Sequence, residues 1–162
     1  MQRFLLLISL SICLGLFACK SSKNPSSTAE PLSFEILDEG PYCGIEETTN
    51  RLITSQDQWL AFYRRFGSNR MPAPEAPAVN FEEQYVIACV MGMRTSGGYR
   101  IELSEMQLEG ETAKVKLTYL SPGPRCSVTE ALTQPYLFAL INKQSVSSTE
   151  FEVVERTENC NQ

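Results

Sequence analysis

A chain of 162 residues with 43% hydrophobic and 20% charged residues has ordinary globular composition, which excludes disorder of the whole chain and points to one domain. Histidine is absent, so Ser-His-Asp and Cys-His catalysis, histidine-ligated zinc and histidine acid–base chemistry are excluded together. A formal charge of −5 without any cluster of Lys and Arg argues against a nucleic-acid partner.

Arg3, a mostly apolar run over residues 4–17, and the closing Leu16-Phe17-Ala18-Cys19 resemble a bacterial lipoprotein signal, an ordinary secretory signal being the alternative. A membrane-crossing helix needs about 20 apolar residues, more than this run offers before the polar stretch that follows. The expectation is a signal peptide at residues 1–18 and a lipidated, palmitate-bearing Cys19. A flexible tether follows over 19–31, because the Ser/Pro/Thr-rich stretch 20–31 has too little apolar surface to offset its ordering entropy. Residues 32–162 then form a single domain, lipid-anchored in the bacterial cell envelope, on the periplasmic or surface face of the outer membrane.

Residues 32–37 and 51–54 read as short strands. Ser55-Gln56-Asp57-Gln58 is a capping-box pattern, and Trp59, Phe62, Tyr63 and Phe66 fall at i, i+3, i+4 and i+7, which predicts an amphipathic helix over 56–66 with Gly67 as a left-handed stop. Its aromatic stripe suits packing on a sheet, and Arg64 and Arg65 sit favourably at its C-terminal end. Three prolines make 71–77 a connecting loop. The continuous apolar run 85–91 predicts a strand buried on both faces. Alternation over 99–103 and 114–119, with Glu109-Gly110-Glu111 between them, predicts a hairpin with one wet face. Residues 135–141 and 151–155 supply two more strands. The fold class is therefore α+β, a mainly antiparallel sheet or sandwich partly covered by one early helix.

Of six cysteines, Cys13 leaves with the signal and Cys19 carries lipid, so Cys43, Cys89, Cys126 and Cys160 remain. An even number in an exported domain predicts two disulfides, and the closeness of the two termini favours Cys43–Cys160 with Cys89–Cys126. Cys89, inside the apolar run, reads equally well as a buried free thiol. No C-x-x-C is present, so neither a redox motif nor a zinc ribbon is supported.

Catalytic chemistry finds little support. Gly97-Gly98 lacks the rest of a phosphate-binding fingerprint and is followed by a strand, so a tight turn is the better reading. Glu46-Glu47 and Glu82-Glu83 are adjacent carboxylates that point apart on extended backbone, unlike a glycosidase dyad or a calcium loop. Ser96, Ser121 and Ser127 have no histidine base, and Lys114, Lys116 and Lys143 lie in polar or alternating contexts. No catalytic residue, metal site, cofactor or small-molecule substrate is expected.

Three segments carry a family likeness. Arg94-Thr95-Ser96-Gly97-Gly98-Tyr99-Arg100-Ile101-Glu102-Leu103, Leu120-Ser121-Pro122-Gly123-Pro124 and Leu132-Thr133-Gln134-Pro135-Tyr136 resemble the Gly-Gly-Tyr, Pro-Gly and Thr-x-Pro-Tyr signatures of the PrcB C-terminal domain family. Tyr42-Cys43-Gly44-Ile45 is similar to that family's Ser-Gly-Ile segment, with cysteine for serine. The resemblance implies a bacterial envelope lipoprotein without enzymatic activity that binds and stabilises a protein partner, as an accessory subunit of a secreted or surface protease complex. Its loops map to Thr95, Ser96, Gly97, Gly98 and Tyr99, and to Pro122, Gly123, Pro124 and Arg125 within 121–126. These residues either build a binding surface or serve only to turn the backbone. Tyr99 shares parity with Ile101 and Leu103 and so competes between surface and core. Thr95-Ser96-Gly97-Gly98-Tyr99 also resembles a loop of chagasin-type protease inhibitors, which makes inhibition the alternative function; a purely structural envelope lipoprotein is a third.

Overall fold

The computed structural model describes residues 29–143 and 146–160. The expected signal peptide, Cys19 and most of the tether lie outside them. The elements in sequence order are β1 Glu30–Pro31, β2 Phe34–Gly40, β3 Thr49–Ile53, α1 Gln56–Phe66, β4 Gln84–Val90, β5 Arg100–Glu109, β6 Thr112–Pro122, β7 Tyr136–Asn142 and β8 Ser148–Glu158.

Helix α1 has the limits its sequence predicts. Ser55 accepts a hydrogen bond from the Gln58 N–H, and the Gln58 side chain accepts from the N–H of Thr54, one residue before the usual capping-box partner. Gly67 closes the helix without the expected left-handed turn, since its φ is −88° and its N–H bonds Tyr63 O at 2.9 Å. Space is the reason for glycine there: a Cβ would come within 2.7 Å of Pro74 Cδ in the proline loop. Trp59 holds the same loop by donating from Nε1 to Pro77 O at 3.0 Å.

Two four-stranded sheets form, in the orders β1-β5-β6-β8 and β2-β7-β4-β3, and the aromatic face of α1 packs on the second. The result is an α+β fold of three layers, sheet on sheet on helix. Central strand β4 is buried on both sides, as its unbroken apolar run requires. Val86, Ala88 and Val90 face Trp59, Phe62, Tyr63 and Phe66, while Ile87, Cys89 and Met91 face the other sheet. Strand β7 divides likewise, and its Phe138 sits at the centre of the aromatic cluster, edge-on to Trp59, Phe62 and Phe66 at 5.0–5.8 Å.

The predicted hairpin is β5–β6, turning at Gly110 with φ +63°. Its inner residues Ile101, Met106, Val115, Leu117 and Tyr119 join the core between the sheets. Glu30 and Pro31, the last residues of the expected tether, pair with Leu108 and Gln107 on β5.

One strand pair departs from the otherwise antiparallel arrangement, and the expected disulfide pairing is corrected. Strand β8 runs parallel to β6, in register from Thr112↔Ser148 to Pro122↔Glu158, whereas every other strand pair is antiparallel. The link after β7 brings the Ser147 N–H onto Glu111 O at the hairpin turn, so β8 starts where β6 starts and must run with it. Both strands therefore finish at the same end of the sheet. There Cys126 and Cys160 form a disulfide with Cα atoms 5.1 Å apart, in place of the Cys43–Cys160 and Cys89–Cys126 pairs. Cys43 lies in the helix-facing core and Cys89 between the sheets, both as buried free thiols.

Candidate binding surface

The motif segments that are separate in the sequence meet at one end of the sandwich. Arg94 and Thr133 exchange both backbone hydrogen bonds, at 2.8 and 3.0 Å. The Thr133 hydroxyl, buried, donates to Ser96 O at 2.8 Å, and the Gly97 N–H donates to Thr129 O at 2.8 Å. Close approach explains the glycines. A Cβ on Gly97 would collide with the Thr129 side chain, and Gly98 combines φ +86° with Val128 Cγ1 2.8 Å from where its Cβ would stand. The Gly-Gly segment is thus pressed against the 122–134 segment and fixed by it.

The second loop is tied to the end of β8. Gly123 donates its N–H to Glu158 O at 2.8 Å, a Cβ there would crowd Asn159 Oδ1 at 2.7 Å, and the Cys126–Cys160 bond closes the junction. Pro124 and Arg125 project into solvent from this anchored base, as does Thr95 from the first loop. Ser96 and Tyr99 are half-buried, and Tyr99 packs on the core between the sheets. Its parity with Ile101 therefore outweighs its position in the loop.

Residues that the motif reading did not assign to a binding loop stand out on the surface. Leu132 is 59% exposed, Tyr42 45% and Met93 39%. They are carried on adjoining backbones: Gln134 N–H bonds Pro41 O, Met93 N–H bonds Glu46 O, and Arg94 pairs with Thr133. Leu132 sits among turn-forming and polar residues without periodicity, so only its contrast with Glu130 and Gln134 could have marked it. The likeness at 42–45 has another basis. Cys43 and Ile45 are core, and the Gly44 N–H bonds Phe66 O at the end of α1.

Several of the charged and hydroxyl groups weighed for chemistry are engaged with neighbours. A concavity of about 490 Å³ lies away from the loops on the outer face of β5, β6 and β8, where Lys114 is paired with Glu150 and Glu109. Glu47 pairs with Arg65, Ser121 shares a hydrogen bond with Thr157 at 3.2 Å, and Lys143 lies 5.6 Å from the centre of the Tyr85 ring. Burial pushes the Cys89 thiol up to about 12, far from the thiolate a nucleophile needs. Among the described residues, no group of three or more Cys, Asp or Glu is placed to hold a metal ion.

These features define a class: a helix-backed β-sandwich whose inter-strand loops are cross-linked into a rigid platform at one end. Residues 85–142, from β4 through β7 and including both loops, match the family model described as PrcB C-terminal, which supports the likeness read from the motifs in that stretch. No curated protein and no solved structure matches the sequence.

Proposed function

We propose that the protein is a non-enzymatic, lipid-anchored subunit of the bacterial cell envelope that binds and stabilises a protein partner belonging to a protease complex. The reading rests on one observation above all. Within the family-matched stretch, segment 93–99 is hydrogen-bonded to segment 122–134, which the Cys126–Cys160 bond staples to the chain just after β8, and together they hold Leu132, Met93 and Arg125 toward solvent. Rigid loops that display apolar and arginine side chains lose little entropy on binding, which is how an interface anchor works. Lipidation of Cys19 would hold this platform near a membrane-associated partner.

The test is capture of partners from native envelopes by the full-length protein, read by mass spectrometry, with Leu132→Asp and Arg125→Ala as the variants. Both side chains are exposed, so melting temperatures should stay near wild type while capture of a protease component falls about tenfold or more for an anchor residue. Tyr99→Ala is the contrasting case and should melt earlier, because that ring packs on the core. Unchanged capture by both folded surface variants would refute the platform, and stoichiometric slowing of a protease by the purified protein would favour the inhibitor reading instead.

A further inference from the structure

Arg94 differs from the other cations near the loops. Its Nε is buried and has no hydrogen-bond partner, and among the described residues no carboxylate lies within ion-pair distance of its guanidinium. The backbone at Arg94 is fixed, because it exchanges both its hydrogen bonds with Thr133. The guanidinium carbon lies over the Tyr99 ring, 5.8 Å from its centre, a cation–π contact that helps hold the side chain in place. A buried N–H without an acceptor is costly, and one on a charged group more so.

The same residue borders a cleft of about 140 Å³ between the sheets, lined by Met91, Arg94, Tyr99, Tyr119, Ser121 and Glu155. One water occupies roughly 30 Å³ of liquid, so there is room for a small functional group. The Tyr119 hydroxyl already donates to Asn50 Oδ1 at 2.9 Å, and Ser121 is engaged with Thr157, which leaves Arg94 as the cationic donor in the wall. A planar fork of N–H groups beside aromatic walls suits a carboxylate, which can take two parallel hydrogen bonds from it.

Resting on the partner-binding reading, we infer that Arg94 is the anchor of a subsite for a carboxylate of the partner polypeptide, either its C-terminal carboxylate or that of an acidic residue. Tyr99 is its supporting wall, which gives the family's Gly-Gly-Tyr segment a task beyond turning the backbone. Glu155 stands at the rim as a negative charge that raises the cost of a free anion and sets a preference for ligands positioned by other contacts.

The experiment is a titration of the full-length protein, following the Arg94 Nε–H resonance and, in every variant, the backbone amide of the neighbouring Tyr99, with N-acetylglycine standing for a C-terminal carboxylate, N-acetylglutamyl amide for that of an acidic residue, and N-acetylglycine amide as the neutral control. A saturable shift is expected with at least one carboxylate, with Kd on the order of millimolar for so small a probe, and none with the neutral amide. The stronger of the two carboxylates identifies the source. Affinity should rise in Glu155→Gln and fall at least about tenfold in Arg94→Lys, which keeps the charge and loses the fork. An equal response to the neutral amide, or no saturable shift in the wild-type protein, overturns the subsite. Capture that Leu132→Asp abolishes and Arg94→Lys leaves untouched would sink the subsite while leaving partner binding in place.

Discussion

Tyr136 shows how a single residue registers the layered core. It begins β7, its ring meets Phe66 edge-on at 4.7 Å, and its hydroxyl donates to Asp38 Oδ2 at 3.1 Å. Burial, reinforced by the negative charge of Asp38 and the bond to it, pushes the phenol up to about 12, with Arg70 pulling weakly the other way. The fold prefers the neutral phenol. Tyr136 therefore contributes stability that is whole below its ordinary value of 10.0 and is lost as pH rises from there through about 12. Melting temperatures across that interval should fall more steeply for wild type than for Tyr136→Phe, which has no proton to lose. Parallel curves would show that the phenol contributes nothing to alkaline unfolding. At this scale the sequence was legible where a residue's role is local. Ser55 as helix cap and Gly110 as a turn are both as read, whereas Gly67 needed the tertiary contact with Pro74 to explain it.

Among the elements, β8 has the greatest consequence for the binding surface. Its eleven residues run parallel to β6, and the backbone at its end holds the second loop through Glu158 O and the Cys126–Cys160 bond. Reducing that disulfide, or replacing both cysteines by alanine, should cost about 2–4 kcal/mol. The loss should be visible first at one place. Hydrogen exchange of the Gly123 amide should quicken ahead of amides in β4 and β7, because its acceptor is on the strand end that the disulfide restrains. Protection of Gly123 unchanged by reduction would mean that hydrogen bonding along β6 and β8 alone secures the loop. The direction of β8 was not legible in its sequence, since alternation specifies which side chains face inward and not which way a strand runs beside its neighbour. By contrast, α1 was readable to the residue, because cap and apolar period are both written within one short segment.

For the whole molecule, the three layers place the helix on one side and a charged sheet face, laced by ion pairs such as Arg156–Glu102, on the other. The loop platform occupies one end, away from both. On the proposed reading the domain reaches its partner from a lipid anchor. Cys19→Ser should accordingly shift the protein out of the membrane fraction or leave it unprocessed; normal processing with unchanged fractionation would rule the anchor out. Sequence alone dictated the α+β class, the helix and its limits, the doubly buried β4 and the β5–β6 hairpin. Each of these depends on periodicity or capping within a few residues. The motifs also pointed to the stretch that matches the family model, because their order along the polypeptide is itself sequence information. It took the packed tertiary structure to join Cys126 to Cys160, to hold Cys43 and Cys89 apart in different core layers, and to press Gly97 and Gly98 on Thr129 and Val128. The physical reason is common to all three: each depends on where the crossing after β7 sets down β8, or on how separate strands bring their ends together, and no residue pattern within a single strand encodes that placement.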